Sequence, residues 1–214
     1  VGRERLDAFL RDYFDNFAFQ PMTADRMLAY MKEKLLTPAE AERINVQAWV
    51  YEPGVPSNIP AVTSAAFAAV DSQIASWKNG AAASTLVTTK WTTHEWLHFL
   101  RALPDTIPAN RLGDLDNTFR LSSSGNSEIL FEWLLIAIRN RYQPAFAALE
   151  RFLTSQGRRK FVRPLYAELA KTDWGRAMAT DIYRRARPTY HSVTTTSVDQ
   201  DLNWPVQRQP PTTR

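Results

Sequence analysis

Five consecutive residues, His94-Glu95-Trp96-Leu97-His98, are the first in this chain whose types and spacing could do chemistry. Two histidines four positions apart on a helix share a face and can bind one metal ion. The glutamate between them can then take a proton from metal-bound water. Such a site needs the pair turned inward, toward a third protein ligand. On a helical wheel, at ~100° per residue, Trp96, Phe99, Leu100 and Leu103 share one arc, while His94 and His98 fall on the far side beside Arg101. Thr92-Thr93-His94-Glu95 also has the S/T-x-x-E form of a capping box, which gives Glu95 a structural use. The remaining histidine, His191, carries no pairing signal. The stretch is expected to be a capped, solvent-facing helix start, with no metal and no catalytic residue in the chain.

A second constellation is cationic. Arg158-Arg159-Lys160 with Arg163, and Arg184-Arg185 with Arg187, concentrate positive charge toward the C-terminus of a chain whose net charge is +4. A guanidinium can grip a carboxylate through two parallel hydrogen bonds, and an ammonium adds a point charge. Nucleic acid and anionic surfaces are other partners for such clusters, and solvated helix faces are the plainest use of them. Because +4 is modest and no aromatic-plus-basic recognition motif accompanies the clusters, neither nucleic acid nor membrane is an expected partner.

These residues must be held by helices. Leu6, Phe9, Leu10, Tyr13, Phe14 and Phe17 follow amphipathic spacing, as do Met27, Leu28, Met31 and Leu35 after Thr23. Thr37-Pro38-Ala39-Glu40 combines an N-cap, proline at the first helical position and a capping-box glutamate. The prolines and glycine of 51–60 interrupt the pattern. Helical periodicity returns over 62–79, 93–103, 109–119, 127–140, 143–155, 159–171 and 174–187, with short connections and no strand alternation. The expected fold is all-α: a two-layer antiparallel helical array of about nine helices, an α-α superhelix, in one domain over 1–203 with a flexible tail over 204–214. The 214 residues suffice for a substantial core, to which seven Trp and eleven Phe contribute. No apolar run approaches a membrane span of ~18 residues. The absence of cysteine removes disulfides, thiolate metal sites and a cysteine nucleophile. It excludes no compartment, and the cytoplasm is favoured over the periplasm. Val1 is neither an initiator methionine nor the start of a leader, so the chain reads as a piece of a longer protein.

Three segments in order carry a family resemblance. Trp49-Val50-Tyr51-Glu52-Pro53-Gly54-Val55-Pro56 resembles W-x-Y-x-P-G-x-P. Asn126-Ser127-Glu128-Ile129 followed by Trp133 resembles N-S-E-I-x-x-x-W. Gly157 through Leu165 resembles G-R-x-K-F-x-R-P-L. All three resemble the C-terminal helical domain of leukotriene A4 hydrolase and its bacterial-type aminopeptidase relatives, the M1 family of zinc peptidases. The resemblance implies that zinc belongs to a separate catalytic domain upstream in the same polypeptide. At the family's spacing past His98 this chain has Asn117 rather than the third-ligand Glu, and the family's G-x-M-E-N motif is absent. It also implies that Arg158 and Lys160 hold the C-terminal carboxylate of a peptide substrate, with Arg159 and Arg163 outside that role. One departure is His191-Ser192-Val193-Thr194, where the family has H-P-V-T.

The expectation is therefore the C-terminal domain of a zinc aminopeptidase, covering the active-site cleft and inactive as a fragment. The competing expectation is a free-standing α-solenoid interaction module that binds a protein partner or an acidic peptide along its concave face.

Overall fold

A computed structural model describes residues 1–205, and every element among them is helical. The chain divides into two compact units, 1–63 and 64–205, each with its own apolar cluster.

The N-terminal unit contains α1 (Arg3–Asn16), α2 (Ala24–Lys34), α3 (Pro38–Ile44) and α4 (Val46–Tyr51). Its core is small: Phe9, Leu35, Leu36 and Val46 are buried, with Tyr13, Met27, Leu28, Tyr30 and Met31 packed around them. The capping box at Thr37 forms as its sequence dictates. Its Glu40 carboxylate is lowered to about 2, first by hydrogen bonding to the Arg5 guanidinium and next by the Thr37 amide. The segment after α4 is non-helical, and Asn58 ties it back by donating to the Ile44 carbonyl at 2.7 Å and accepting from the Trp49 indole at 3.1 Å.

The C-terminal unit contains α5 (Ala65–Lys78), α6 (Thr93–Arg101), α7 (Ala109–Phe119), α8 (Ser127–Arg139), α9 (Phe146–Ser155), α10 (Arg159–Leu169), α11 (Asp173–Ala186) and α12 (Ser192–Leu202). Neighbouring packing runs α5 to α6 to α8 to α10 to α12, and separately α9 to α11. This is the two-layer arrangement expected of an α-solenoid. From α6 to α12 this row is parallel, because cross-links advance together along both helices of each pair. Thr93 meets Asn126 and Arg101 meets Glu132; Lys160 meets Glu128 and Arg139 meets Glu168; Arg159 meets Ser197 and Arg163 meets Asp201. Between the layers lie Trp133, Leu134, Leu149, Leu153, Leu165, Tyr166 and Tyr183, all fully buried.

Twelve α-helices among the described residues exceed the expected nine. Sequence periodicity passes over α4 and α12. The latter, Ser-Val-Thr-Thr-Thr-Ser-Val-Asp-Gln-Asp-Leu, is rich in β-branched residues of low helix propensity. Packing on α10 and α11 holds it helical, with Val198 and Leu202 buried. Ser192 is its first residue, a position that suits proline, so serine in place of the H-P-V-T proline leaves the element unchanged. Trp204 packs edge-on against Tyr183 with ring centroids 5.0 Å apart. The rest of the tail expected to be flexible, from residue 206, lies outside the described residues.

Asp199 pins α12 to the end of α11. It accepts two bonds from Arg187, at 2.9 and 2.8 Å, and one from the Tyr183 hydroxyl at 2.6 Å. The Arg187 guanidinium, more than any other group, holds this carboxyl below its usual range. A lowered folded value means that the stabilisation is complete above the unfolded aspartate value (~3.9) and disappears as pH falls through the folded value. Asp199 is 12% exposed, so breaking the pair matters. Asp199→Asn is expected to cost about 2 kcal/mol at pH 7 and to flatten the acid limb of stability, as urea titrations between pH 2 and 7 would read.

Candidate functional site

The parallel row brings the N-termini of α6, α8, α10 and α12 to one edge of the C-terminal unit, where hydrogen bonds join them laterally. Asn126 donates to Thr93 Oγ1 at 2.9 Å, Gln156 donates to Ser127 Oγ at 3.1 Å, and Thr194 donates to the Gly157 carbonyl at 3.2 Å. Helix N-termini present unpaired N–H groups and partial positive charge, so such an edge favours anions.

Three of these four starts carry a side-chain cap. Thr92 and Glu95 complete the capping box on α6, Asn126 accepts from Glu128 and Ile129 on α8, and His191 accepts from Val193 on α12. Helix α10 differs: its N-cap is Arg158, which gives no side-chain cap. Among the described residues, neither the Arg159 nor the Lys160 amide finds an acceptor. This helix therefore offers two amides to an outside acceptor, at the place where sequence puts Arg158 and Lys160.

Arg158 and Lys160 flank one ring, their cationic groups 5.5 and 5.2 Å from the Phe161 centroid. They differ in what holds them. Arg158 is exposed and makes no ion pair with any described residue. Lys160 forms an ion pair with Glu128 in the first turn of α8. Arg159 donates to Ser197 at 2.7 Å, and Arg163 grips Asp201 through two bonds at 2.9 and 3.2 Å. Both therefore brace α10 against α12. Of the second cluster, Arg185 engages Glu150 at 2.6 Å and Asp181 at 3.1 Å, Arg184 reaches Asp181 at 3.4 Å, and Arg187 is committed to Asp199. Sequence reading did not anticipate Glu128 as the partner of Lys160, because the two are 32 residues apart.

The HEWLH stretch is spent on structure. Glu95 accepts from the Thr92 amide at 2.8 Å, and its carboxyl lies below the usual range, first through the Thr92 hydroxyl and then this amide. His94 is exposed. His98, expected to face solvent, instead stacks on Phe67 of α5, with centroids 4.6 Å apart and planes 2° from parallel, and pairs with Asp71 at 2.7 Å. A wheel drawn for one helix cannot show that α6 is flanked by α5 and α8. Among the described residues, no three His, Asp or Glu side chains gather as a metal site would require. This donor set does not fit zinc.

The comparisons with known proteins support the family resemblance. A family model described as leukotriene A4 hydrolase, C-terminal, matches residues 91–202, within the C-terminal unit. Mouse aminopeptidase B is 25% identical over 94% of the chain, and Xenopus laevis leukotriene A-4 hydrolase 24% identical over 94%. These alignments take up 33% and 34% of the two relatives, so the chain spans about a third of their length. The yeast LTA4 hydrolase structure solved in complex with bestatin superposes with a TM-score of 0.73 at 22% identity, covering 94% of this chain and 36% of that one.

Proposed function

The chain belongs to the leukotriene A4 hydrolase C-terminal family, and on that premise we propose that it is the substrate-anchoring part of a zinc-dependent aminopeptidase. In this reading it covers the active-site cleft of a catalytic domain elsewhere in the same polypeptide. It binds the C-terminal carboxylate of a short peptide through Arg158 and Lys160, while zinc and the water-activating groups belong to the catalytic domain.

The start of α10 is what supports this reading most. A carboxylate placed there would accept from the free Arg159 and Lys160 amides, supplying the cap that α10 lacks. It would also meet the unpaired Arg158 guanidinium and one of the three donors of the Lys160 ammonium. Holding the far end of a peptide fixes where its N-terminal bond lies, and so contributes to orientation rather than to bond cleavage.

Titration of the ¹⁵N-labelled chain with Gly-Gly-Ala tests the proposal. The free acid is expected to shift the amide resonances of residues 158–161 saturably, and Gly-Gly-Ala amide is expected not to. Equal shifts with both peptides would rule the carboxylate site out.

A further inference from the structure

We propose that Glu128 is a specificity-determining residue at this anchor, selecting against peptides whose C-terminal residue is Asp or Glu. The inference rests on the carboxylate-binding reading of Arg158 and Lys160 and adds to it a preferred class of substrate.

Glu128 stands in the second position of α8 and is fixed from both sides. Its amide donates to Asn126 Oδ1 at 3.0 Å, and its carboxylate pairs with the Lys160 ammonium. It is 29% exposed, so its charge is felt by whatever approaches Lys160. A ligand carboxylate at the start of α10 must share that ammonium with Glu128. A single carboxylate is accommodated, because Arg158 and the free amides of α10 compensate it and the ammonium has donors to spare.

A second carboxylate has no such partner. The side-chain acid of a C-terminal Asp or Glu is joined to the anchored α-carboxylate by only a few carbon–carbon bonds. Arg159 and Arg163, the neighbouring cations, are turned to Ser197 and Asp201 on α12. The added charge therefore meets Glu128 while Arg163 is neutralised by Asp201 and Arg159 is directed away to the Ser197 hydroxyl, and like charges repel. Neutral C-terminal side chains avoid that repulsion, and basic ones gain from Glu128. The residue thus rejects one ligand class by repulsion while it orients Lys160 for the other.

The test compares Gly-Gly-Ala, Gly-Gly-Asp and Gly-Gly-Lys, all as free acids, by ¹⁵N titration of the wild-type chain and of Glu128→Gln. The wild-type chain is expected to bind Gly-Gly-Asp at least fivefold more weakly than Gly-Gly-Ala, and Gly-Gly-Lys at least as well as Gly-Gly-Ala. In Glu128→Gln the Asp-to-Ala ratio is expected to fall to within twofold of unity. A purely structural role for Glu128 would weaken all three peptides together and leave the ratio unchanged, which would overturn the inference. Equal wild-type affinities for Ala and Asp peptides would also overturn it. Failure of wild type to bind Gly-Gly-Ala would instead remove the underlying carboxylate site. Should Glu128→Gln not fold, Glu128→Lys supplies the second arm: there the Asp peptide is expected to bind more tightly than the Lys peptide, and an unchanged order would overturn the inference.

Discussion

Trp133→Ala is expected to destabilise the C-terminal unit by about 3–5 kcal/mol, the range for emptying a buried aromatic site. Trp133 is fully buried in α8, its ring edge lies against Tyr142 with centroids 5.8 Å apart, and its indole N–H donates to Ser122 Oγ at 2.9 Å. Ser122 in turn donates its hydroxyl and its amide to Asp116 at 2.7 and 2.8 Å. The indole therefore joins α8 to the end of α7 through a fully paired polar chain. Alanine would leave a cavity in the layer interface and remove one member of that chain. Trp133→Phe, which keeps most of the apolar volume and deletes the N–H, is expected to cost only about 1–2 kcal/mol. Urea unfolding followed by far-ultraviolet circular dichroism separates the two. Losses below 1 kcal/mol for the alanine variant would mean that α8 is not the centre of this core.

Gly175→Ala is the second large effect, expected at about 3 kcal/mol, from overpacking (~1–3 kcal/mol) and a damaged helix cap (~1 kcal/mol). A Cβ on residue 175 would sit 2.3 Å from the Leu169 carbonyl oxygen and 2.8 Å from Thr172 Oγ1. The carbonyl is backbone at the end of α10, so it cannot turn away. Thr172 Oγ1 is the cap of α11 and accepts from the Gly175 amide at 3.2 Å. The substitution must therefore push α10 and α11 apart where they meet. Gly125→Ala is the control, since a Cβ there meets nothing within 4 Å, and its expected change is within about 0.5 kcal/mol. Equal stability of the two variants would contradict the close approach.

Much of this was legible before any coordinates. Thr37-Pro38-Ala39-Glu40 and Thr92-Thr93-His94-Glu95 each encode a capping box within four residues, and both form. Amphipathic spacing located α1, α2 and most helices of the C-terminal unit, because a helix that buries one stripe writes that stripe into its sequence. Helix α12 was not legible, because its threonines carry no such stripe and only its neighbours make it a helix. Nor was the partition of the basic residues. Arg158, Arg159, Lys160 and Arg163 look alike in sequence, yet Ser197, Glu128 and Asp201 separate them into bracing, paired and free groups. Those partners are 32 to 38 residues away, and no local pattern records which cation meets which carboxylate. His98 makes the same point, since its stacking on Phe67 depends on which helix lies beside α6.

The account rests most heavily on Arg158 as an exposed cation without an ion-pair partner among the described residues, at an uncapped helix start. The most direct measurement is the affinity of Arg158→Ala for Gly-Gly-Ala free acid, by ¹⁵N titration against the wild-type chain. A charge-assisted, bidentate contact with a carboxylate is worth roughly 1.5–3 kcal/mol, so affinity is expected to fall at least tenfold. The resonances of α8 and α12 should stay in place, because Arg158 braces neither helix. Wild-type affinity in Arg158→Ala would contradict the account.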